Sequence, residues 1–189
     1  MSMITNESDV LQVVSEDKWM MDILEAARTL DLPDWWICAG FVRSKIWDTL
    51  HGFSGRTEIP DVDVVYFDSA QVNEGVEKKL ERKLAEELPN VRWSVKNEAR
   101  MHIINNLPPY LSSVDAISKF PETATALGLK LDSKGDLILT APHGLEDVIN
   151  MEIRPTPQFK TSKELASIYE DRIIKKDWQS TWKKVKVFY

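Results

Sequence analysis

CAGFVRSKIWDTLHGFSGRTEIPDVDVVYFD, residues 38–68, sets a glycine turn, an arginine, a glycine-bearing loop and two aspartates along one short length of chain. Trp35 to Ala39 is apolar and stopped by Gly40, which predicts a buried strand. Val42, Ile46, Trp47 and Leu50 then recur at helical spacing. The loop HGFSGRTEIP is rich in turn formers and leads into Val62 to Phe67, whose Val, Tyr and Phe predict a second strand. Residues two apart on a strand share a face, so Asp61 and Asp63 project together while Val62 and Val64 turn to the core.

Two carboxylates this close repel each other unless water or a hard cation such as magnesium lies between them. The chain carries fifteen aspartates in 189 residues, so one Asp-x-Asp triplet arises by chance, and read alone it is a solvated strand start. The segment before it strengthens the case. Gly40 lies between strand and helix, where a glycine lets an anion approach the free amides and positive dipole of a helix N-terminus. Arg43 and Ser44 fall in that first helical turn, although each taken singly is an ordinary surface side chain. Neither GxxxxGKS/T nor a GxGxxG after a strand occurs, which excludes the common ATPase and dehydrogenase loops.

Outward from this segment the chain reads as alternating elements without repeats. Asp17 to Leu30 carries Met20, Ile23, Leu24 and Ala27 at helical spacing. Gln71 to Leu88 is a charged helix with Val76, Leu80, Leu84 and Leu88 as its apolar stripe. Val91, Trp93 and Val95 alternate with Arg92, Ser94 and Lys96, which predicts a half-buried strand. Beyond Pro108 and Pro109 a helix near Ser113 to Phe120, a hairpin about Lys134 and Gly135, and a helix from Ser162 to Asp177 are expected. This reading predicts an α+β fold, a short mixed sheet with flanking helices carrying the site on one edge. It treats 1–189 as a single domain, with a core over 17–110 and a C-terminal extension over 111–189.

Composition narrows the function classes. Acidic residues outnumber Lys plus Arg by 30 to 24, a net charge of -6, which argues against a general nucleic-acid binder. No apolar run approaches the roughly 20 residues of a membrane span, and the first ten residues lack the features of a signal peptide. A cytoplasmic protein without membrane contact is expected. The single cysteine, Cys38, is read as a small buried residue. His51, His102 and His143 lack metal-ligand spacing. Trp178 and Trp182 interleave with lysines near the C-terminus, the one sequence-level nucleic-acid footprint, which is read as a solvated face.

The stretch AGFVRSKIWDTLHGFSGRTEIPDVDVVYFD resembles the core of the DNA polymerase β-like nucleotidyltransferase superfamily, and is most similar to its CCA-adding and poly(A) polymerase branch. That branch carries Gly-Gly-x-Val-Arg-Asp followed by an Asp-hydrophobic-Asp strand. Gly40, Val42, Arg43, Asp61 and Asp63 match, Phe41 is taken to replace the second glycine, and Ser44 replaces the aspartate. VKNEARMH resembles a later segment of the branch at Asn97 and Ala99, and KGDLILTAPHGLEDVINMEIRP another at Gly144, Asp147, Ile153 and Arg154. The chain also looks like a family of small bacterial nucleotidyltransferase-like proteins sharing its Gly-Phe-Val-Arg, Asp-x-Asp-Val and Asn-x-Ala-Arg-Met-His signatures, with likeness from residue 35 to 178.

The resemblance implies that Asp61 and Asp63 ligate Mg2+, and that Gly40, Phe41, Arg43 and Ser44 flank the triphosphate of a nucleoside triphosphate. Asn97 and Arg100 are implied for ribose and phosphate, although Asn97 serves equally well as a cap for the helix starting at Glu98. A nucleoside monophosphate would pass to an unidentified acceptor hydroxyl, on a small molecule or protein, with pyrophosphate leaving. Transfer RNA is not expected as acceptor. A nucleotide-binding protein without turnover is the alternative. The strand Val91 to Lys96 lacks the third carboxylate that the superfamily often supplies, and Glu98, just beyond it, is expected to be dispensable.

Overall fold

A computed structural model describes residues 3–189 and shows five strands in one mixed sheet, ordered β3-β2-β1-β4-β5. Before the sheet begins, α1 (Glu7–Ser15) and α2 (Lys18–Arg28) pack together. Asn6 caps α1 through Asp9, and Asp17 caps α2 by accepting from the Met20 amide at 3.2 Å. The first of these helices was not anticipated. Its buried positions, Val10, Val13 and Val14, form a short stripe, with Leu11 partly buried beside them.

The central strand is β1 (Trp36–Cys38), which gives way at once to α3 (Gly40–His51). Gly52 ends that helix in a left-handed conformation, φ 69°, where a glycine carries no Cβ penalty. β1 pairs antiparallel with β2 (Val62–Tyr66) on one side and with β4 (Gly128–Leu131) on the other. α4 (Glu74–Glu87) crosses over to β3 (Trp93–Asn97), which pairs parallel with β2, as such a helical crossover requires. β4 turns through Asp132 and Gly135 into β5 (Leu137–Thr140), the expected hairpin. The acidic strand β2 is therefore second from the edge, with β3 outside it, rather than at the edge itself.

The two faces of the sheet differ. Ile37, Val62, Val64, Tyr66, Val95, Leu129 and Leu131 face one core with Phe41, Val42, Ile46 and Trp47 of α3. Trp36, Cys38 and Val65 face a smaller cluster with Ile117 of α6 (Ser113–Ser118) and Ala126. Between α6 and the hairpin's neighbours, Glu122 is fully buried and held by Arg172. The remaining elements are α5 (Glu98–Met101), α7 (Glu146–Ile149), β6 (Glu152–Ile153), α8 (Lys163–Lys176), α9 (Trp178–Thr181) and β7 (Lys186–Val187). β6 and β7 form a two-stranded parallel pair apart from the main sheet.

The C-terminal aromatics are structural. Trp178 and Trp182 are buried, with ring centroids 6.3 Å and 5.2 Å from that of Trp47. Lys175, Lys183, Lys184 and Lys186 stay exposed, so the lysine face is solvated and the indoles offer no open platform for bases. Cys38 is buried as a free thiol, and burial pushes its pKa upward. His51 and His143 bind backbone carbonyls of Trp47 and Ser118, each at 2.7 Å. Among the described residues no helix is long and apolar enough to cross a membrane.

Asp48, buried on α3, ties this tail down. Its carboxylate accepts from Trp182 Nε1 at 2.8 Å and from the amide and hydroxyl of Thr57 at 2.8 Å and 2.6 Å. Replacing it leaves the buried Trp182 donor and the part-buried Thr57 donors unsatisfied. Asp48→Ala is expected to cost about 3 kcal/mol of stability, seen as an earlier urea midpoint with an unchanged slope. A cost below about 1 kcal/mol would show that the tail is anchored elsewhere.

Candidate active site

The site follows from register. Antiparallel pairing sets Cys38 opposite Asp63, so the chain leaves β1 and enters α3 beside the start of β2. β3 adds Ser94 alongside Asp63 and Lys96 alongside Val65. Because side chains alternate along a strand, Cys38, Asp63 and Ser94 share the face away from the main core. A cleft of about 320 Å³ opens there, lined by Asp63, Ser94, Lys96, Glu98, Thr125 and Arg172 among apolar neighbours such as Val65, Met101 and Phe120. A larger cleft of about 480 Å³ near Thr5 and Glu146 has no part in this arrangement.

Asp63 is shielded from water, and this burial together with the neighbouring Asp61 pushes its pKa up to about 6. Lys176, Ser94 and Arg43 pull the other way. Asp61 immediately precedes β2 and is exposed. Neither carboxylate has an ion-pair partner among the described residues, and no cluster of three His, Cys, Asp or Glu there is arranged for a metal. Two hard oxygen donors, one of them short of water and of counter-charge, suit a divalent cation that keeps most of its own waters.

α3 contributes the anion-binding side. Its N-cap, Ala39, makes no side-chain cap, and the first intrahelical acceptances there are those from the Val42 and Arg43 amides. The Gly40 and Phe41 amides donate to no backbone carbonyl there, at the positive end of a twelve-residue helix whose N-cap, Ala39, lines the cleft. Ala39 sits at φ 59°, ψ -121°, a region that favours glycine. The glycine-type backbone in AGFV is thus Ala39, and not Phe41 as the motif comparison had it. Phe41 is helical, and its buried ring lies 6.1 Å from that of Trp19, so only its amide can meet a ligand.

Arg43 and Ser44 do not reach solvent. The Arg43 guanidinium is boxed by Trp47, Trp178 and Trp182, at 5.3, 4.7 and 5.7 Å from their ring centroids. Its tip folds back toward Gly40, and burial lowers its pKa to about 10. Arg43 Nε and Ser44 Oγ are buried without hydrogen-bond partners. Arg43 therefore adds positive charge beneath the start of α3 rather than an open contact surface.

Asn97 and Arg100 lie outside the cleft lining. Asn97 accepts from the Asp68 and Ala99 amides and donates to the carbonyls of Asp68 and Gln71, which occupies its whole amide. Of the two roles weighed for it, the cap of α5 is the one that the geometry displays. Arg100 makes a two-point contact with the fully buried Glu77, at 2.8 Å and 2.6 Å. Together they brace β3 and α5 against α4. Asp147 and Arg154 pair at 3.5 Å and fasten α7 to the segment just after β6.

Glu98, by contrast, lines the cleft. Burial first, then Glu77 and Asp63, raise its pKa to about 8, so at neutral pH it is an uncharged acid and a poor metal ligand. Lys96, Arg172 and Ser94 complete the polar lining. Ser94 and Lys96 were legible as the outward alternation of β3. Arg172 was not singled out, although its i, i+4 spacing with Lys176 puts two cations on one face of α8.

The nucleotidyltransferase family profile matches residues 25–187, and the chain belongs to that family. A structure described as an NMR structure revealing a CCA-adding enzyme head domain is 38% identical, with a TM-score of 0.90 over 99% of this chain and 98% of that one. The Thermotoga maritima CCA-adding enzyme complexed with tRNA shares the fold at 15% identity and a TM-score of 0.57, and a CCA-adding enzyme complexed with CTP does so at 14% and 0.57. The chain spans 44% of the length of each of these two enzymes. Among curated protein sequences nothing matches.

Two variants probe the local chemistry. Ala39→Gly relieves an unfavourable backbone conformation and is expected to raise stability by about 1 kcal/mol, a melting shift of about 2–4 °C. An unchanged or lower melting temperature would remove the strain argument. The raised Glu98 pKa means that the folded state holds a proton which the unfolded chain releases between its ordinary value of 4.5 and about 8. Stability contributed by that proton is present below pH 4.5 and lost as pH rises through about 8. Glu98→Gln, which cannot ionise, is expected to gain in melting temperature over the parent as pH climbs through this window, and a constant difference would show that Glu98 is already charged.

Proposed function

We propose that the chain is a magnesium-dependent nucleotidyltransferase that moves a nucleoside monophosphate from a nucleoside triphosphate to a hydroxyl group of a small molecule or a protein. The observation that carries this reading is Asp63 shielded and raised to about 6 beside Asp61, directly across from the uncapped N-terminus of α3. A divalent cation held by Asp61 and Asp63 would neutralise charge on the triphosphate and orient the reacting oxygens. The Gly40 and Phe41 amides receive phosphate oxygens. The acceptor oxygen bonds to the α-phosphorus, the bond from that phosphorus to the bridging oxygen breaks, and pyrophosphate leaves with the electron pair. The hydroxyl proton passes to water.

The solved relatives with CTP and with tRNA show which ligands such a fold accommodates in those proteins. For this chain a small-molecule or protein acceptor is favoured over tRNA, because Trp178 and Trp182 are buried and the net charge is -6. One observation supports a second reading, a nucleotide binder without turnover: among the described residues no third His, Cys, Asp or Glu joins Asp61 and Asp63 in a group that could hold a metal.

Labelled triphosphates with magnesium, tested against hydroxyl acceptors with tRNA as one arm, separate these readings through label transfer and pyrophosphate release. Asp63→Asn is expected to abolish transfer, and Glu98→Gln to change it by less than about tenfold. At limiting magnesium, nucleotide affinity in the parent is expected to fall as pH drops below about 6, where Asp63 takes up its proton, and to level off above it. Transfer in Asp63→Asn equal to the parent's would end the metal-site reading. Nucleotide binding without transfer to any acceptor would favour the second reading.

A further inference from the structure

Beside Lys96 of β3, the cleft that holds Asp63 takes positive charge from the far end of the chain. Arg172 on α8 lines the cleft with Asp63. Lys176 lies one turn further along the same helix, with an accessible side chain and no ion pair among the described residues. Arg43 stands behind them, buried, with Nε unpartnered and its guanidinium 4.7 Å from the ring of Trp178, two residues beyond Lys176. One carboxylate, Glu122, pairs with Arg172 at 2.6 Å. Arg172 lines the cleft, and Lys176 and the buried Arg43 stand close enough to act on each other and on Asp63, so if Asp63 is committed to a cation, Glu122 is the carboxylate left near these three cations.

We propose that Arg172 and Lys176 of α8, backed by Arg43, seat the β- and γ-phosphates of the nucleotide, so that the C-terminal half of the chain completes the triphosphate site. The inference rests on the nucleotide reading of Asp61 and Asp63 for its orientation, with the α-phosphate at the metal and the tail of the triphosphate directed toward α8. Its physical basis is crowding of like charge. Loss of water and the charges of Arg172 and Arg43 lower the Lys176 pKa, as expected of cations gathered with too few anions. An entering polyphosphate relieves that repulsion and supplies acceptors for donors that the protein leaves open, including charge-assisted contacts to Arg172. The same seat would hold pyrophosphate as it forms.

Arg172 is a poor test residue, because removing it strands the buried Glu122. Lys176 is exposed and can be changed without loss of the fold. Inorganic tripolyphosphate is titrated calorimetrically into the parent, Lys176→Met, Lys176→Arg and Asp63→Asn, in metal-free buffer and with magnesium. Lys176→Met is expected to lose at least tenfold in metal-free affinity, about 1.4 kcal/mol, while its ligand-free melting temperature is equal to or above the parent's. Lys176→Arg is expected to recover affinity to within about threefold. Asp63→Asn retains metal-free binding and loses the magnesium-dependent increment. Tripolyphosphate binding by Lys176→Met equal to the parent's, or none by the parent in either buffer, overturns the proposal. A magnesium increment lost in Asp63→Asn while Lys176→Met binds normally would sink this inference and leave the metal site standing. The reverse pattern would keep the anion seat and remove the metal site.

Discussion

The antiparallel register between β1 and β2 is the constraint from which the rest of the site follows. With Cys38 opposite Asp63, the end of one strand meets the beginning of the next, and whatever follows Cys38 must turn within one residue to avoid the acidic strand. Ala39 makes that turn at positive φ, and α3 begins at once. The positive end of a helix and a pair of aspartates are thereby set side by side by backbone geometry alone. Two opposite electrostatic poles so placed leave a gap that suits a ligand carrying both an anion and its cation.

Around this gap the protein spends buried charge on bracing. Glu77 and Glu122 are both fully buried, and each is held by an arginine, Arg100 and Arg172. The first pair locks β3 and α5 to α4, and the second locks α8 to the loop after α6. Breaking either would strand a carboxylate out of water, so the position of β3 and of α8 relative to the cleft is tightly determined. Three tryptophans then fix Arg43, and with it the tail, against α3. Motif residues that look like free nucleotide contacts in the sequence are, in the folded chain, members of these braces.

Much of the fold was legible because it is written locally. The strand, glycine, helix and acidic strand of residues 36–66, the amphipathic α2 and α4, and the β4–β5 hairpin all announce themselves through spacing or turn residues. α1 was missed because its apolar stripe is short, one turn of Val10, Val13 and Val14 with Leu11 beside it. The acidic pair was legible as a candidate for the same local reason. The contribution of the C-terminal half was not, since Arg172 reaches the cleft, with Lys176 one turn beyond it, only through the docking of α8. Asn97 and Arg100 illustrate the converse difficulty: a side chain's type suggests a ligand contact, while four hydrogen bonds on the buried Asn97 amide and the pairing of Arg100 with Glu77 commit them to the scaffold. Spacing could not disclose that Glu98, beside them, would be stripped of water and held neutral.

The strand order β3-β2-β1-β4-β5 also governs how the chain can be assembled. β1 is flanked by a strand close behind it in sequence and by β4, which is made only after α6. A nascent chain can pair β1 with β2 early, but the other edge of β1 keeps its amides and carbonyls unpaired until Gly128–Leu131 has left the ribosome. During that interval Trp36 and Ile37 lie on an open edge, a template for pairing with the wrong strand. The aspartate pair is thus synthesised in the first half of the chain, yet it acquires a closed sheet beneath it, and the cations of α8 near it, only when the second half folds back.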